Sequence, residues 1–213
     1  MTDPPRLLLV HGVPTMRAGL HRLLTDGGFD VAVAGSAEDA LEAAVASAPQ
    51  LVMVAAELPG GMALVRTVGE RLRGARTVVI TERADGEELL AAVLAGARGY
   101  LRADMQLERL PAAVHGVLAG EVALPRAQLV HLLEELRARH ASRTLLSDRT
   151  GARLSAREWE VLSLLARDAS TAVIAHELGI SEVTVRRHVS AVVSKLGVRD
   201  RGEAVELMRR SSS

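Results

Sequence analysis

Residues 154–198 read LSAREWEVLSLLARDASTAVIAHELGISEVTVRRHVSAVVSKLGV, and this stretch decides how the C-terminal part of the chain folds. Ser155 followed by Glu158 has the spacing of a capping box. The hydroxyl accepts from an orphan amide of the first turn, and the carboxylate reaches back to the cap residue's own amide. A helix is predicted to start there, with Val161, Leu162, Leu164 and Leu165 on one side at helical spacing. Asp168-Ala169-Ser170 ends it with turn and capping chemistry, and Thr171 to Leu178 forms a short second helix. Two helices meeting at a steep angle need a tight turn, and Gly179 supplies it because glycine takes positive φ without a Cβ penalty. Ile180 plugs the corner, and Ser181 caps a third helix. Its Val185, Val189, Val192 and Leu196 recur at i, i+4, i+7 and i+11, one narrow buried stripe.

The opposite face of that third helix carries Val183, Arg187, Ser190 and Ser194, with Arg186 on its flank. Two adjacent arginines near the N-terminal half of a helix suit the base edges and phosphates of a major groove. The plainer alternative is a helical bundle whose surface happens to carry arginines.

Three runs weigh against that alternative: L-S-x-R-E-x-E-V-L at Leu154 to Leu162, I-A-x-x-L-G-I-S-x-x-T-V-x-x-H-V at Ile174 to Val189, and K-L-G-V at Lys195 to Val198. Together they resemble the LuxR-type (NarL/FixJ) helix-turn-helix, ungapped over about a quarter of the chain. The resemblance implies a four-helix unit whose third helix enters double-stranded DNA and whose fourth often dimerises. It puts Arg186, Arg187 and Ser190 at base-facing positions and Thr184 and Lys195 near phosphates. Relatives often carry lysine where Ser190 stands, which implies a different base preference. Asp200 with Glu203 starts the last helix, to Arg209, and Ser211 to Ser213 is expected to be a disordered tail.

The whole chain of 213 residues has room for two small domains. It has no cysteine, which excludes disulfides and thiolate zinc sites. No signal peptide and no membrane-length apolar run is evident, so a cytoplasmic location and no membrane partner are expected. Lys and Arg total 26 against 26 Asp and Glu; residues 152–213 hold 10 basic and 8 acidic side chains, leaving 16 and 18 for residues 1–151. Such an asymmetry permits DNA binding through local clustering but does not argue for it, since affinity depends on the phosphates contacted.

In the N-terminal part, apolar runs at Arg6 to Val10, Phe29 to Val33, Leu51 to Ala56, Thr77 to Thr81 and Gly99 to Leu101 alternate with helical patterns at Pro14 to Asp26, Ser36 to Ser47, Met62 to Leu72, Asp85 to Ala95 and Leu107 to Ala119. Five strands alternating with five helices predict an α/β doubly wound parallel sheet, with function at the carboxyl ends of the strands. Leu58-Pro59-Gly60 after the third strand, Thr81 ending the fourth, and Gly96 to Leu101 entering the fifth resemble a bacterial receiver domain.

That resemblance implies a phosphoryl-accepting aspartate, an acidic pair that helps hold Mg²⁺, and a lysine. The aligned residues here are Ala55 for the acceptor, His11 and Gly12 for the pair, and Ala103 for the lysine; only the hydroxyl of Thr81 and the aromatic switch position, Tyr100, remain. Alanine offers no nucleophile, and Mg²⁺ wants oxygen ligands, usually including carboxylates. The pocket is therefore read as degenerate, with no metal and no cofactor. Glu57 is read as a solvated loop carboxylate two positions out of the pocket, and His11 as a hydrogen-bonded pocket residue rather than a ligand.

Arg126 to His140 places Leu129, Leu132, Leu133 and Leu136 on one face of an amphipathic linker helix, and Ala141 to Arg153 reads as a polar, flexible boundary. The expected division is a receiver-like domain over 1–122, a helical linker over 123–152 and a helix-turn-helix over 153–213. The functional expectation is a non-enzymatic, sequence-specific transcriptional regulator that binds DNA as a homodimer without phosphorylation. Two alternatives stay open: an antagonist that heterodimerises with a protein partner instead of binding DNA, and a regulator whose vacant receiver pocket takes a small ligand.

Overall fold

The computed structural model describes residues 3–72, 74–82, 85–103 and 107–211. The chain divides into two compact units, residues 1–132 and 133–213.

The first unit is built on five parallel strands: β1 (Arg6–Val10), β2 (Asp30–Ala34), β3 (Leu51–Ala55), β4 (Arg76–Thr81) and β5 (Gly99–Arg102), in the order β2-β1-β3-β4-β5. The helices α1 (Pro14–Asp26), α2 (Ala37–Ser47), α3 (Gly61–Arg71), α4 (Gly86–Ala95) and α5 (Leu110–Ala119) connect and follow them, with a 3-10 turn over Leu107–Arg109 leading into α5. β3 is buried along its whole length, as a strand covered on both faces must be, which is why it reads as an unbroken apolar run. Strand order reverses between β1 and β3, and this opens a crevice at their carboxyl ends. The strands and helices expected from sequence are all present, with ends displaced by a residue or so, except that α5 starts three residues later than expected.

The second unit contains α7 (Ala156–Ala166), α8 (Thr171–Leu178), α9 (Glu182–Leu196) and α10 (Arg201–Ser211). Each of the first three starts at a serine whose hydroxyl accepts an amide of the first turn: Ser155 from Glu158, Ser170 from Val173 and Ser181 from Thr184. Asp200 does the same for α10 through the Glu203 amide. Gly179 ends α8 at φ 61°, the left-handed turn that its place between helices requires. The core has two parts. Val161, Leu165, Ile174, Leu178 and Val185 join α7, α8 and the start of α9, while Trp159, Leu162, Val192, Leu196 and Met208 join α7, α9 and α10.

Two sequence expectations need correction. Residues 141–150 are not a flexible boundary, because α6 runs unbroken over Arg126–Thr150. The hydroxyls of Ser142, Thr144 and Thr150 donate to the carbonyls four residues back, which hides their polarity inside the helix. Leu146, 2% exposed, packs into the Trp159 cluster, and the Arg143 guanidinium lies over the Trp159 ring at 5.9 Å while donating to the Leu154 carbonyl. The expected linker face also splits: Leu132 is buried and Leu133 half exposed. At the far end Ser211 is the buried last residue of α10 rather than part of a tail, and residues 212–213 lie outside the described residues.

Leu146→Ala is expected to destabilise the second unit by about 2–4 kcal/mol, the usual cost of emptying a buried leucine site. Chemical denaturation followed through Trp159, the only tryptophan, measures this; a change within error would remove the C-terminal half of α6 from that core.

Candidate nucleic-acid interface and control pocket

α9 presents its buried stripe, Val185, Val192 and Leu196, to the core, with Val189 packed beside it. Of the residues expected to read bases, Arg187 is exposed and, among the described residues, has no hydrogen-bond or ion-pair partner. Arg186 is also exposed, but its Nη1 lies 3.6 Å from the Glu182 carboxylate one turn back. An exposed pair at this spacing is worth only about 0.3–0.5 kcal/mol, so a phosphate or base readily displaces it. Ser190 turns its hydroxyl back to the Arg186 carbonyl at 3.1 Å. Thr184 is half buried, its hydroxyl 2.9 Å from that of the cap residue Ser181.

Lys195 has a protein partner that its sequence reading did not name. Its ammonium donates to Glu158 Oε2 at 2.7 Å, and the same oxygen accepts the Ser155 amide at 2.7 Å. Burial pushes the Glu158 carboxyl up, yet Lys195 and Ser155 outweigh it and hold it below the usual carboxylate range. The capping box was legible from its spacing. The lysine that completes it lies 37 residues away in sequence, beyond the reach of a local motif.

At the carboxyl ends of the strands, His11 follows β1, Ala55 is the last residue of β3, Thr81 the last of β4, and Ala103 follows β5, its amide donating to the Thr81 carbonyl at 2.7 Å. His11 is buried, and its Nδ1 accepts the Val13 amide at 3.1 Å. Burial lowers its pKa against the opposing pull of Glu57 and Glu82, which favours the neutral imidazole. A Cβ on Gly12 would sit 3.5 Å from Leu58 Cδ1, an ordinary van der Waals contact, and Gly12 itself is exposed. Among the described residues no group of three or more His, Asp or Glu side chains is arranged to hold a metal ion.

Glu57 corrects another expectation. It is exposed, but its carboxylate turns back onto the end of β4, where Oε1 accepts from the Thr81 hydroxyl at 3.1 Å and the Glu82 amide at 2.9 Å. Burial raises its pKa; the Glu82 amide, the Thr81 hydroxyl and His11 together pull it below the ordinary value. Counting positions along the loop missed this because Gly60, at φ 76°, and Gly61, whose Cβ would lie 3.0 Å from the Ala55 carbonyl, fold the loop tightly against the strand. Tyr100 is fully buried and donates to Glu88 Oε1 at 2.5 Å. Burial and Glu88 raise its pKa, with the Asp85 amide and the Thr81 hydroxyl opposing. Thr81 thus stands between the Glu57 carboxylate and the Tyr100 hydroxyl.

A sheet with these landmarks, followed by a capped helix-turn-helix, defines a two-part regulatory protein of the response-regulator class. The response regulator receiver domain family matches residues 7–115, and the luxR family of bacterial regulatory proteins matches residues 152–208. The nitrate/nitrite response regulator protein NarL of Escherichia coli K12 is 32% identical over 207 residues, 95% of this chain and 94% of that protein. The DNA-binding transcriptional activator DevR/DosR of Mycobacterium tuberculosis is 31% identical over 203 residues, 93% and 91% of the two chains. The crystal structure of a LuxR-family two-component response regulator from Aurantimonas sp. SI85-9A1 matches with a TM-score of 0.57 and 28% identity, covering 62% of this chain and 97% of that one. The chain belongs to the LuxR/NarL family of response regulators, and it is a DNA-binding transcriptional regulator rather than an enzyme. No helix among the described residues is long and apolar enough to cross a membrane.

The Glu57 contacts carry a pH dependence. Because the folded pKa is depressed, the stabilisation is complete above the unfolded value near 4.5 and is lost as pH falls through the lower folded value. Glu57→Gln is expected to melt earlier than the parent at neutral pH, and the gap should close in acid. Thermal melts at about pH 7 and about pH 3 check this; a gap of equal size at both would show that the charge plays no part.

Proposed function

We propose that this regulator binds specific double-stranded DNA as a homodimer in the cytoplasm, and that it does so without phosphorylation. The single observation that carries the reading is Ala55 at the end of β3, where the receiver family keeps its phospho-acceptor, with Glu57 already occupying Thr81 and the Glu82 amide. A methyl group cannot accept a phosphoryl group. Within this reading, residues 1–122 form a pseudo-receiver, 123–152 a helical linker and 153–213 the DNA-binding domain. Arg187 reads bases, joined by Arg186 once Glu182 releases it and by Ser190, while Thr184 lies toward phosphates; Lys195 is assigned to Glu158 instead. Control by a small ligand in the pocket has less support, since the Glu57 carboxylate already has two donors.

Acetyl phosphate is expected to leave no aspartyl phosphate at the ends of the strands and to leave DNA affinity unchanged. Intact-protein mass spectrometry with a hydroxylamine control reads the first, and mobility shift the second; a hydroxylamine-sensitive adduct that changes affinity would overturn phosphorylation independence.

On sites recovered from genomic fragments by the full-length protein, the footprint should cover two half-sites with centres roughly 10 bp apart. Arg187→Ala should cost about 1–3 kcal/mol on those sites and relax the preference at one base position. A single half-site bound by a monomer would refute the dimer, and unchanged affinity and preference would remove Arg187 from the readout.

A further inference from the structure

Val183 stands on the exposed side of α9, opposite the buried stripe of Val185, Val192 and Leu196. It is 70% exposed, whereas Val185, two residues on, is fully buried. At about 100° per residue, Val183 and Arg187 share one side of the helix a turn apart, and Ser190 and Ser194 continue that side. The other exposed side chains around it, Glu182, Arg186, Arg187 and Ser190, all form hydrogen bonds or carry charge. A β-branched residue is a poor choice for an exposed helix position on propensity alone, so helix formation does not explain it.

We propose that Val183 reads a thymine in each half-site through its C5-methyl group. The inference rests on the reading that α9 enters the major groove. Valine has no donor or acceptor, so it gains nothing from the O6 and N7 of guanine, and it would cover the exocyclic amines of adenine or cytosine without replacing their hydrogen bonds to water. The thymine methyl is the one apolar group the groove displays. Four residues of helix rise span about 6 Å, against about 3.4 Å per base step, so this thymine lies within about two base pairs of the base contacted by Arg187.

The test uses the full-length protein and a site recovered from genomic fragments. Each thymine is replaced in turn by deoxyuridine, which removes the methyl and keeps every hydrogen-bonding group. The parent protein should lose about fourfold in affinity at one position per half-site, the worth of one buried methyl group. Val183→Ser should bind the thymine and uracil sites equally well while keeping the preference at the Arg187 position. Val183 is exposed, so this variant should melt like the parent. If no single replacement affects the parent, or if Val183→Ser stays as sensitive as the parent, the assignment falls while DNA binding stands. If the parent selects no DNA at all, the underlying reading falls with it.

Discussion

The placement of the recognition helix depends on one buried oxygen. Glu158 Oε2 accepts the Ser155 amide at the start of α7 and the Lys195 ammonium in the last turn of α9. The carboxylate is almost sealed from water, so its charge is tolerated only because both donors reach it. Either donor alone would leave a buried charge partly unpaired, which is far costlier than losing an exposed ion pair. The contact therefore fixes where α9 ends relative to α7, and with it the direction in which Arg186 and Arg187 point. Burial of Val185, Val192 and Leu196 fixes the rotation of the helix about its own axis. Charge and apolar packing thus constrain different degrees of freedom of the same element.

A second chain of polar contacts spans the first unit. Glu57 holds Thr81 and the Glu82 amide, Thr81 bears on the Tyr100 hydroxyl, and Tyr100 is bonded to Glu88 on α4. Tyr100 is buried with its proton directed at a carboxylate, so turning the ring outward would break a charge-assisted hydrogen bond and expose a large apolar surface. On the proposed reading, these contacts hold the switch position in one arrangement with no modification present.

Most of this fold was legible because its signals are local. Apolar runs of three to six residues marked the strands, and serine or aspartate at the cap position marked the helix starts in the second unit. The C-terminal half of α6 was misread because Ser142, Thr144, Ser147 and Thr150 look like loop composition. Their compensation is tertiary, through Leu146 against Trp159 and Arg143 over the ring. The contacts of Glu57 and Lys195 were missed for a related reason. Each acts through a partner at least 24 residues away, and spacing along the chain carries no information about such a contact. The exposed side of α9 was legible because a helix with one buried stripe leaves a single opposite face.

On the proposed reading, the charge count at the strand ends removes the need for a cation. An acidic pair and an acceptor aspartate put three carboxylates in one crevice, and like charges that close are tolerable only with a metal ion or a proton among them. His11, Gly12 and Ala55 remove all three. The Glu57 carboxylate, two positions further on, meets the Thr81 hydroxyl and the Glu82 amide. Two donors on one carboxylate oxygen form a closed local arrangement whose stability depends on neither metal nor phosphate concentration. Glu57 itself titrates below the ordinary carboxylate value. On the proposed reading, a sheet edge built this way has no chemical input of its own. Regulation would then have to enter through the amount of protein or through a partner.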